Sequence, residues 1–383
     1  MKIGIDIRLI GKKRTGDEAV FFNFVKNLAQ IDAANNYFLY TNRDPEKDRG
    51  LAKEIRKLEL RDNFKVVFIN SPNRFLWNFW ALPNCLRKNV VDVFHTQYIA
   101  PFWLPKNVKL ILTIHDISFN FYPQLIKKGD LFFLKALIPR SLRMAAKIIA
   151  VSEFTKSEIE KYYKIPSGKI AVAYNGIDFG LFNQNLSPEK LEIIRKKYHL
   201  PEKFILYIGT LQPRKNVPVL IEALKIFYEK YNLQDVKLVI AGKRKAHNFD
   251  TRIDETIKKY NLQENIIFPG WIDEEDKPAL FKLARCFVFP SLYEGFGIPI
   301  VEAMSAGTPV VCSNQEALLE VGGSAILSSN PDDANQMAEN IYKALKDEGI
   351  RSDLMKRGIE RAEYFSWRKN AEKTLEIYNN LAN

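Results

Sequence analysis

Short runs of apolar residues recur along the whole chain, and stretches with helical periodicity separate them. Several of these runs, among them VVF, LILTI, KLVIA and PVVC, are apolar at every position rather than at every second one. Strands of this kind are typical of parallel sheets covered on both faces, because the crossover connections place helices on each side. The order of elements therefore predicts α/β domains built from right-handed strand–helix–strand units.

Twelve strands and several long helices are predicted from these patterns. The strand candidates are 2–7, 38–41, 65–69, 91–95, 110–114, 147–151, 204–208, 237–241, 266–268, 286–289, 309–312 and 325–327. The clearest helical patterns cover 217–231, 274–284, 299–305 and 332–345. Continuous alternation of the two element types predicts doubly wound sheets rather than a sandwich or a bundle.

The length of 383 residues is about twice that of a common single domain, so two domains are expected. The polar stretch between residues 175 and 203, with one short amphipathic helix, separates them. We expect an N-terminal domain over 1–175 and a C-terminal domain over 176–366. The tail, 367–383, has apolar residues at helical spacing and is expected to cover the first domain. Doubly wound sheets bind ligands at the carboxyl ends of their strands, which predicts two Rossmann-like domains facing across a cleft.

Positive charge is concentrated in the first half of the chain. Residues 1–175 contain 29 Lys and Arg against 16 Asp and Glu, a balance of +13, whereas the remainder has 28 against 29, a balance of −1. A basic field attracts an anionic membrane surface, a polyphosphate carrier or a nucleic acid. The charge count alone is equally consistent with solvated lysines that only keep the protein soluble.

Several classes of protein receive no support from the sequence. No apolar run reaches the 18 or so residues that span a bilayer, and no charged segment followed by an apolar one marks an export signal, so a cytoplasmic location is expected. The three cysteines, Cys85, Cys286 and Cys312, are too few and too far apart for a disulfide framework or a zinc site. Asp-x-Asp, His-Glu-x-x-His, the P-loop and G-x-G-x-x-G are all missing, so neither a metal nor a bound cofactor is expected.

The most informative segment is 287–314, FVFPSLYEGFGIPIVEAMSAGTPVVCSN. A buried strand is followed by a glycine turn and then by a helix with Pro299 near its start, where proline is tolerated. The N–H groups and the positive dipole at such a helix start favour an anion, although a plain strand–turn–helix with two surface glutamates fits the same pattern. The candidate residues here are Glu294, Gly295, Phe296, Gly297, Ile298 and Glu302.

A second strand ends in a glycine turn at residues 207–224, YIGTLQPRKNVPVLIEAL. Arg214 and Lys215 stand directly before the next helix, where two cations are unfavourable for the helix dipole unless an anion binds between them. Gly209 and Thr210 form the turn that precedes them. Because a carboxylate-bearing glycine turn follows another strand of the same sheet, a diphosphate is a better interpretation than two solvated basic residues.

In the first domain, His115 and Asp116 follow the buried strand 110–114, at the edge where ligands are expected. Position and the adjacent carboxylate favour a functional role for His115. His95 also follows a strand, and for this residue a structural role is the better interpretation.

Taken together, these segments resemble the family 4 retaining glycosyltransferases with two Rossmann-like domains, the GT-B architecture. The similarity is strongest to the branch that includes bacterial mannosyltransferases of surface-polysaccharide synthesis. It covers almost the whole chain and is carried by GIDIR, DVFH, TIHD, AVSEFTKSEI, YNGID, YIGTLQPRKN, PSLYEGFGIPIVEAMSAGTPVV and FSW. Glu294 and Glu302 have the E-x7-E spacing of the family.

The resemblance implies that a hexose, mannose in the branch just named, is moved from a nucleotide-diphosphate sugar to a glycan or lipid-linked glycan, with retention and without metal. It implies that the domain over 1–175 binds the acceptor and that the domain over 176–366 binds the donor. It implies that Glu294 contacts the donor sugar near the reacting carbon and Glu302 the ribose hydroxyls. Lys215 matches the lysine that holds the donor diphosphate, and His115 the histidine that reaches the transferred sugar. Thr210 replaces the usual arginine after the strand glycine, so Arg214 is expected to supply that cation.

One loop departs from the family pattern. After the first strand the family has a glycine-rich loop near the donor phosphate or the acceptor. Here Gly16 is present, but Asp17 and Glu18 stand where a small residue and a second glycine are common. These three residues are the candidate acceptor-side positions, and the two carboxylates leave the acceptor side least determined.

Two alternatives stay open at this point. A nucleotide-sugar epimerase or phosphorylase would use the same architecture, and a basic membrane- or nucleic-acid-binding module with a vestigial donor pocket would explain the charge. The second leaves the C-terminal motifs unexplained, so no nucleic-acid partner is expected. The aromatic segment 75–80, FLWNFW, with Arg74, Arg87 and Lys88 on its two sides, fits either a membrane interface or a helix packed on the sheet of the first domain. The packed helix is the better interpretation for Trp77, and both stay open for Phe79 and Trp80. Peripheral contact with the anionic inner face of a membrane is expected through the basic N-terminal domain as a whole.

Overall fold

The computed structural model describes residues 1–12, 16–244 and 248–382. It divides into two compact units. Unit 1 consists of Met1–Phe121, Lys128–Gly176 and Ser366–Asn383, and unit 2 of Tyr122–Lys127 and Ile177–Phe365. Each unit contains one parallel sheet with helices between successive strands.

The sheet of unit 1 has the strand order β3-β2-β1-β4-β5-β6-β7, with every neighbouring pair parallel. Its strands are β1 Lys2–Asp6, β2 Asn36–Thr41, β3 Phe64–Phe68, β4 Val93–Gln97, β5 Lys109–Ile114, β6 Lys147–Ala150 and β7 Ile170–Val172. The central strands are buried almost throughout, which is why their sequences are apolar at successive positions.

Helices connect these strands and cover the sheet of unit 1. They are α1 Gly16–Ile31, α2 Arg49–Lys57, α3 Arg74–Leu76, a π-helical turn Trp77–Ala81, α4 Leu82–Lys88, α5 Ser118–Phe121, α6 Lys128–Met144 and α7 Glu153–Tyr163, with a 3-10 turn at Ser167–Lys169. The start of α7 shows how local sequence sets a boundary: Ser152 has extended backbone, and its side chain accepts a hydrogen bond from the N–H of Thr155.

Unit 2 repeats the plan with the strand order β10-β9-β8-β11-β12-β13, again parallel. The strands are β8 Phe204–Ile208, β9 Lys237–Ala241, β10 Ile266–Gly270, β11 Cys286–Phe289, β12 Val310–Ser313 and β13 Ile326–Ser329. Its helices are α8 Phe179–Phe182, α9 Pro188–Lys197, α10 Val217–Tyr231, α11 Arg252–Lys259, α12 Lys277–Leu283, α13 Ile298–Ser305, α14 Glu316–Gly322, α15 Ala334–Lys346 and α16 Glu348–Ala362. Five 3-10 turns complete the unit, at Pro123–Leu125, Pro213–Lys215, Gln263–Asn265, Glu274–Asp276 and Gly323–Ala325.

The last helix, α17 Trp367–Ala382, returns to unit 1 and packs on α1. The hydroxyl of Tyr378 lies 2.6 Å from His95 Nδ1, and the amide of Asn370 donates to the carbonyl of Tyr174 at 2.8 Å. Gly176 is required beside the start of this helix, because a Cβ on it would lie 2.0 Å from the backbone nitrogen of Trp367. The tail is thus built into the core of the first unit.

The predicted fold class is confirmed: two α/β units with parallel, doubly wound sheets, and a C-terminal helix on the first. All twelve predicted strands are present within one or two residues. Only β7 was not predicted, and the segment between the units contains the one-turn helix α8 besides the expected α9. No helix in the described parts of the chain combines the length and the apolar character needed to cross a bilayer.

Candidate active site

In unit 2 two loops meet where the strand order turns. β8 and β11 are neighbours in the sheet, but the chain leaves β8 for β9 on one side and β11 for β12 on the other. In doubly wound sheets a ligand binds at this place, outside the carboxyl ends of the strands. Lys215 lies in the segment after β8 and Glu294 in the segment after β11, and the structure brings them into contact.

Backbone and side-chain contacts join the two loops. The N–H of Leu292 donates to the carbonyl of Arg214 at 2.8 Å. Lys215 Nζ donates to Glu294 Oε1, while Arg214 Nη1 lies 3.3 Å from Glu294 Oε2 and donates to the carbonyl of Tyr293 at 3.0 Å. One carboxylate is therefore held by two cations that lie about 80 residues away in sequence.

This charged group is buried. The exposed fraction is 8% for Lys215 and 7% for Glu294, and Lys215 Nζ also lies 5.0 Å from the ring centroid of Phe289. Burial raises the pKa of Glu294, but the charges of Lys215 and Arg214 outweigh it and hold the pKa below the usual glutamate range. Glu294 is consequently a carboxylate, fixed in position at the end of β11.

Close packing shapes the turn after β8. The buried hydroxyl of Tyr207 donates to the carbonyl of Thr210 at 2.9 Å. Burial, and then the charge of Glu294, raises the pKa of Tyr207 well above its ordinary value, so the phenol stays a neutral donor. Gly242 has no space for a side chain, because a Cβ there would lie 2.3 Å from the carbonyl oxygen of Gly209. Gly242 was not identified from the sequence.

The turn that leads into α13 depends on Gly297. Its φ is +97°, a backbone conformation that favours glycine, and a Cβ would lie 2.7 Å from a methyl carbon of Leu318. Both the backbone conformation and the lack of space therefore exclude a larger residue. The ring of Phe296 packs edge-on against Phe365 at 5.3 Å between centroids. The side chain of Phe296 therefore belongs to the core of unit 2, and its backbone is what lies in the turn with Gly295 and Ile298.

Glu302 lies one turn inside α13 with an exposed fraction of 6%. Its Oε1 lies 3.3 Å from Lys277 Nζ, whereas its Oε2 accepts no hydrogen bond from any residue that the structure describes. Burial raises the pKa of Glu302, and the partly compensating charge of Lys277 does not reverse it. A buried carboxylate oxygen without a donor is costly, which suits a ligand hydroxyl as its missing partner.

Lys277 is a further residue of the candidate site that was not predicted from the sequence. It is the first residue of α12 and lies 2.9 Å from Glu274 as well as 3.3 Å from Glu302. Burial lowers its pKa, but the two carboxylates outweigh this and the pKa is raised, so Lys277 is charged. The signal available in the sequence was a lysine at a helix start, directly after the acidic run 273–276, because a cation there is unfavourable without a partner.

In unit 1, His115 follows β5 at the carboxyl edge of the sheet and is mostly buried. Its Nε2 lies 2.7 Å from the side-chain oxygen of Gln97, at the end of the neighbouring strand β4. Since an amide oxygen only accepts, Nε2 is the donor of this hydrogen bond. Gln97 was not predicted, although its position at a strand end was the available signal.

The argument that Asp116 supports His115 is wrong. Asp116 Oδ1 accepts hydrogen bonds from the N–H and the hydroxyl of Ser118, at 2.9 and 2.7 Å, and so begins α5. The ring partner of His115 is Gln97 instead. His95 has the expected structural role: its two ring nitrogens contact Tyr378 and Thr113, and burial lowers its pKa to about 3.

The loop after β1 uses one of its unexpected carboxylates internally. Glu18 is buried, and its Oε1 accepts from the N–H of Gly11 at 2.7 Å, which ties α1 to the loop before it. Asp17 is half-buried in the first turn of α1, where a negative charge suits the dipole. Gly16 is exposed and has open space around it. Residues 13–15 lie outside the described part of the chain.

Two protein-family models match the chain. The model for glycosyl transferases group 1 matches residues 190–361, and the model for glycosyltransferase family 4 matches residues 15–180. The matched regions together take in the whole sheet of unit 2 and every strand of the unit 1 sheet except β1.

Relatives of known name include mannosyltransferases. O-antigen chain mannosyltransferase B of Escherichia coli is 33% identical over 279 residues, which is 72% of this chain and 72% of the relative. O-antigen chain mannosyltransferase RfbU of Salmonella typhimurium is 28% identical over 262 residues, 68% of this chain and 67% of the relative. An uncharacterized glycosyltransferase of Methanocaldococcus jannaschii is 32% identical over 334 residues, 82% and 83% of the two chains.

Solved structures share the fold over the full length. A glycosyltransferase from Rickettsia africae has a TM-score of 0.76 at 24% identity and covers 100% of this chain and 98% of its own. Anabaena HepE in complex with UDP-glucose has a TM-score of 0.76 at 18% identity and covers 99% and 100%. Neither the epimerase or phosphorylase alternative nor the vestigial binding module gains support from these relatives.

Proposed function

Since this chain belongs to the family 4 glycosyltransferases and has their two-unit GT-B fold, we propose which transfer it catalyses and with which residues. The substrates are a nucleotide-diphosphate hexose, with mannose as the first sugar to test, and a glycan acceptor carried on a lipid. The anomeric configuration is retained and no metal takes part. The mannosyltransferase names of two relatives support the sugar, and the UDP-glucose complex of HepE supports a nucleotide-sugar donor.

The observation that carries the proposal is the buried group formed by Glu294 with Lys215 and Arg214. Cleavage of the sugar–phosphate bond builds negative charge on the leaving diphosphate and positive charge on the sugar ring. Preorganised cations and N–H groups lower that barrier, by about 2.7–4 kcal/mol for one well-placed donor. An ammonium has three N–H donors and a guanidinium five, enough to contact Glu294 and a phosphate oxygen together.

The remaining residues divide the donor between them. Glu294 faces the sugar, and the backbone of Gly295 through Ile298 lies beside the phosphates at the N-terminus of α13. Glu302, held by Lys277 through Oε1, accepts from a ribose hydroxyl at Oε2. Gly209 and Thr210 line the diphosphate side, and Arg214 replaces the cation that Thr210 does not supply.

The acceptor side is assigned to unit 1. We expect His115 to form a hydrogen bond to the sugar that is transferred. Gly16 and Asp17, the first two residues of α1, are the candidate acceptor-side positions. Glu18 is occupied with Gly11, so its effect on the acceptor acts through the loop backbone. The basic balance of the first half of the chain favours an acceptor at the anionic inner face of a membrane.

The test is transfer of radiolabelled sugar from a panel of GDP- and UDP-sugars to a lipid-linked glycan extract. Glu294→Ala and Lys215→Ala are expected to abolish transfer, whereas Lys225→Ala, a lysine of α10 paired with Glu229 outside the site, leaves it unchanged. Unchanged transfer in both site variants would refute the assignment.

Two controls accompany this assay. Excess EDTA is expected to leave the rate unchanged, and a loss restored by added Mg²⁺ or Mn²⁺ would contradict the metal-independent proposal. Incubation without acceptor is expected to release neither an epimerised sugar nucleotide nor a sugar phosphate, and the appearance of either in quantity would favour the alternative enzymes.

A further inference from the structure

Unit 1 exposes a group of large apolar side chains that its own packing does not need. Trp80 and Phe132 each have an exposed fraction of 69%, far above what rings of this size show in a packed helix. We call this group the aromatic face; its members are Phe75, Leu76, Phe79, Trp80, Phe102 and Phe132. They come from three segments: the helical stretch 74–81, the loop after β4 and the helix α6.

Ring contacts join the three segments that carry the aromatic face. Phe79 stacks on Phe102 with centroids 4.5 Å apart, and the backbone N–H of Phe102 donates to the carbonyl of Asn78 at 2.8 Å. On the other side, Phe75 lies 5.1 Å from Phe133, which lies 5.7 Å from Phe132. The helical stretch 74–81 therefore contacts both the loop after β4 and α6.

A buried residue fixes the segment that carries the face. Trp77 is fully buried and lies under the guanidinium of Arg8, at 4.8 Å, so the π-helical turn 77–81 is anchored to the end of β1. This confirms the packed-helix interpretation for Trp77 and leaves its neighbours pointing outward. Because Trp77 anchors the turn, the segment 77–81 is already folded and its exposed rings do not have to be ordered when a partner binds.

The segments that carry the aromatic face are strongly basic. Residues 75–91, 101–109 and 128–144 contain eight Lys and Arg against one acidic residue, Asp130. Two of these cations lie over aromatic rings of the same segments: Arg140 over Phe102 at 4.7 Å and Arg87 over Trp103 at 5.8 Å. Together with the exposed Lys88 and Lys135 they form the basic border of the aromatic face.

Charge decides which occupant the aromatic face suits. A second copy would bring two basic borders together, and like charges across an interface oppose association. A single-stranded nucleic acid would use the charge and could stack its bases on the rings, but it has no partner for the exposed aliphatic side chain of Leu76. A bilayer with anionic headgroups fits both features, since aromatic rings enter the interface while Lys and Arg contact the headgroups.

The aromatic face also belongs to the edge of the sheet at which the candidate acceptor residue lies. Phe102 follows β4 by five residues, and Gln97 at the end of β4 holds His115. A lipid-linked acceptor entering from the bilayer would thus arrive at the carboxyl edge that carries His115.

We propose that the aromatic face is the membrane-docking surface of this protein and takes an anionic lipid bilayer as its partner. This rests on the proposed function, because only a lipid-linked acceptor gives the docking a use. The rings insert at the level of the headgroups, and the basic border supplies the preference for anionic lipid.

Co-sedimentation of the full chain with vesicles tests the docking. Binding to phosphatidylcholine vesicles with 30% phosphatidylglycerol is expected to exceed binding to pure phosphatidylcholine vesicles at least tenfold and to weaken with added salt. The double variant Trp80→Ser/Phe132→Ser is expected to lose at least tenfold in vesicle affinity. Ile193→Ser, which removes an exposed apolar side chain from α9 of unit 2, is the matched control and keeps the affinity.

A second measurement locates the inserted ring. Tryptophan fluorescence is expected to be quenched by vesicles with bromine on the upper part of the lipid chains, and Trp80→Phe to lose most of this quenching while it still binds. Full quenching in Trp80→Phe, or vesicle binding by Trp80→Ser/Phe132→Ser equal to that of the wild type, would overturn the proposal. So would a stoichiometric dimer, or salt-sensitive binding to RNA with none to vesicles.

Failure of this inference is separable from failure of the proposed function. Trp80→Ser/Phe132→Ser is expected to transfer sugar to a detergent-solubilised acceptor at the wild-type rate but to a vesicle-embedded acceptor at least tenfold more slowly. Equal rates on both acceptors would refute docking alone. Vesicle binding without any transfer by the wild type would instead refute the proposed reaction.

Discussion

In both units the strand order turns at the same relative place, between β1 and β4 in unit 1 and between β8 and β11 in unit 2. In unit 1 the charged groups there serve the fold: Asp6 forms a bidentate pair with Arg8, and Glu18 closes the loop onto Gly11. In unit 2 two cations meet one carboxylate. Among the residues that the structure describes, the carboxylates at the turning point of unit 1 thus bind a cation or a backbone N–H of their own segment, whereas the carboxylate at the turning point of unit 2 binds two cations from the other loop.

The comparison also separates two kinds of positive charge. The first half of the chain has a balance of +13, and basic residues lie on the segments that carry the exposed rings of unit 1. The second half has a balance of −1, and unit 2 places Arg214, Lys215 and Lys277 beside buried carboxylates. In the proposals above, the first kind of charge serves the membrane partner and the second kind serves the chemistry.

Lys215→Met is expected to have the largest effect on catalysis. Loss of one preorganised donor corresponds to about a 10²- to 10³-fold fall in kcat. Arg8→Met, the equivalent change in unit 1, is expected to lower the free energy of unfolding by about 1.5–3 kcal/mol and to leave donor binding unchanged. Steady-state kinetics and urea unfolding of both variants measure this, and a loss of donor affinity in Arg8→Met would erase the distinction between the units.

A fall in pH is expected to change the free energy of unfolding of the wild type and of Lys215→Met by different amounts. The pKa of Glu294 is held below its unfolded value, so its contribution to stability is present above the usual glutamate range and is lost as the pH falls through the lowered pKa. Without Lys215 the buried carboxylate is left with Arg214 and its pKa rises. The stability deficit of Lys215→Met, about 3–5 kcal/mol at pH 7, should therefore shrink toward pH 4 in urea titrations. A constant deficit would contradict the ion-pair explanation.

Lys277→Met is expected to have a smaller and different effect. Lys277 positions Glu302 and opposes the rise in its pKa, so its loss favours the protonated, displaced side chain. Donor KM is expected to rise about tenfold, or about 1.4 kcal/mol, with kcat nearly unchanged, and to rise further as the pH is lowered. Lys277→Arg should restore part of the affinity, which a purely structural role would not require.

Tyr378→Phe is expected to have the smallest effect. It removes the hydroxyl that contacts His95 and leaves the ring packing intact, so the free energy of unfolding should fall by about 1 kcal/mol. The rate of transfer and its pH dependence should not change, because His95 is structural. Thermal unfolding and the transfer assay provide the check; an altered pH profile would give His95 a role in catalysis.

The fold followed from the sequence because buried strands and amphipathic helices carry strong periodic signals. β7 was missed because three residues, Ile170–Val172, are too few to show a period. Strand ends correctly located Lys215 and Glu294, since the carboxyl edge of a parallel sheet gathers residues that are distant in sequence. The same reasoning could not find Lys277 or Gln97, because their roles depend on which residue lies opposite them on another helix or strand. It also took Asp116 as support for His115 because the two are adjacent in sequence, whereas the Asp116 carboxylate contacts Ser118.

The return of α17 to unit 1 has a consequence for synthesis on the ribosome. Asn370 and Tyr378 complete contacts with Tyr174 and His95, yet they are translated after every residue of unit 2. The first half to emerge is therefore the last to be finished, and until the final helix arrives its surface over α1 stays uncovered. A premature stop shortly before residue 367 would leave the later-made half intact and would expose the earlier one to proteases and chaperones.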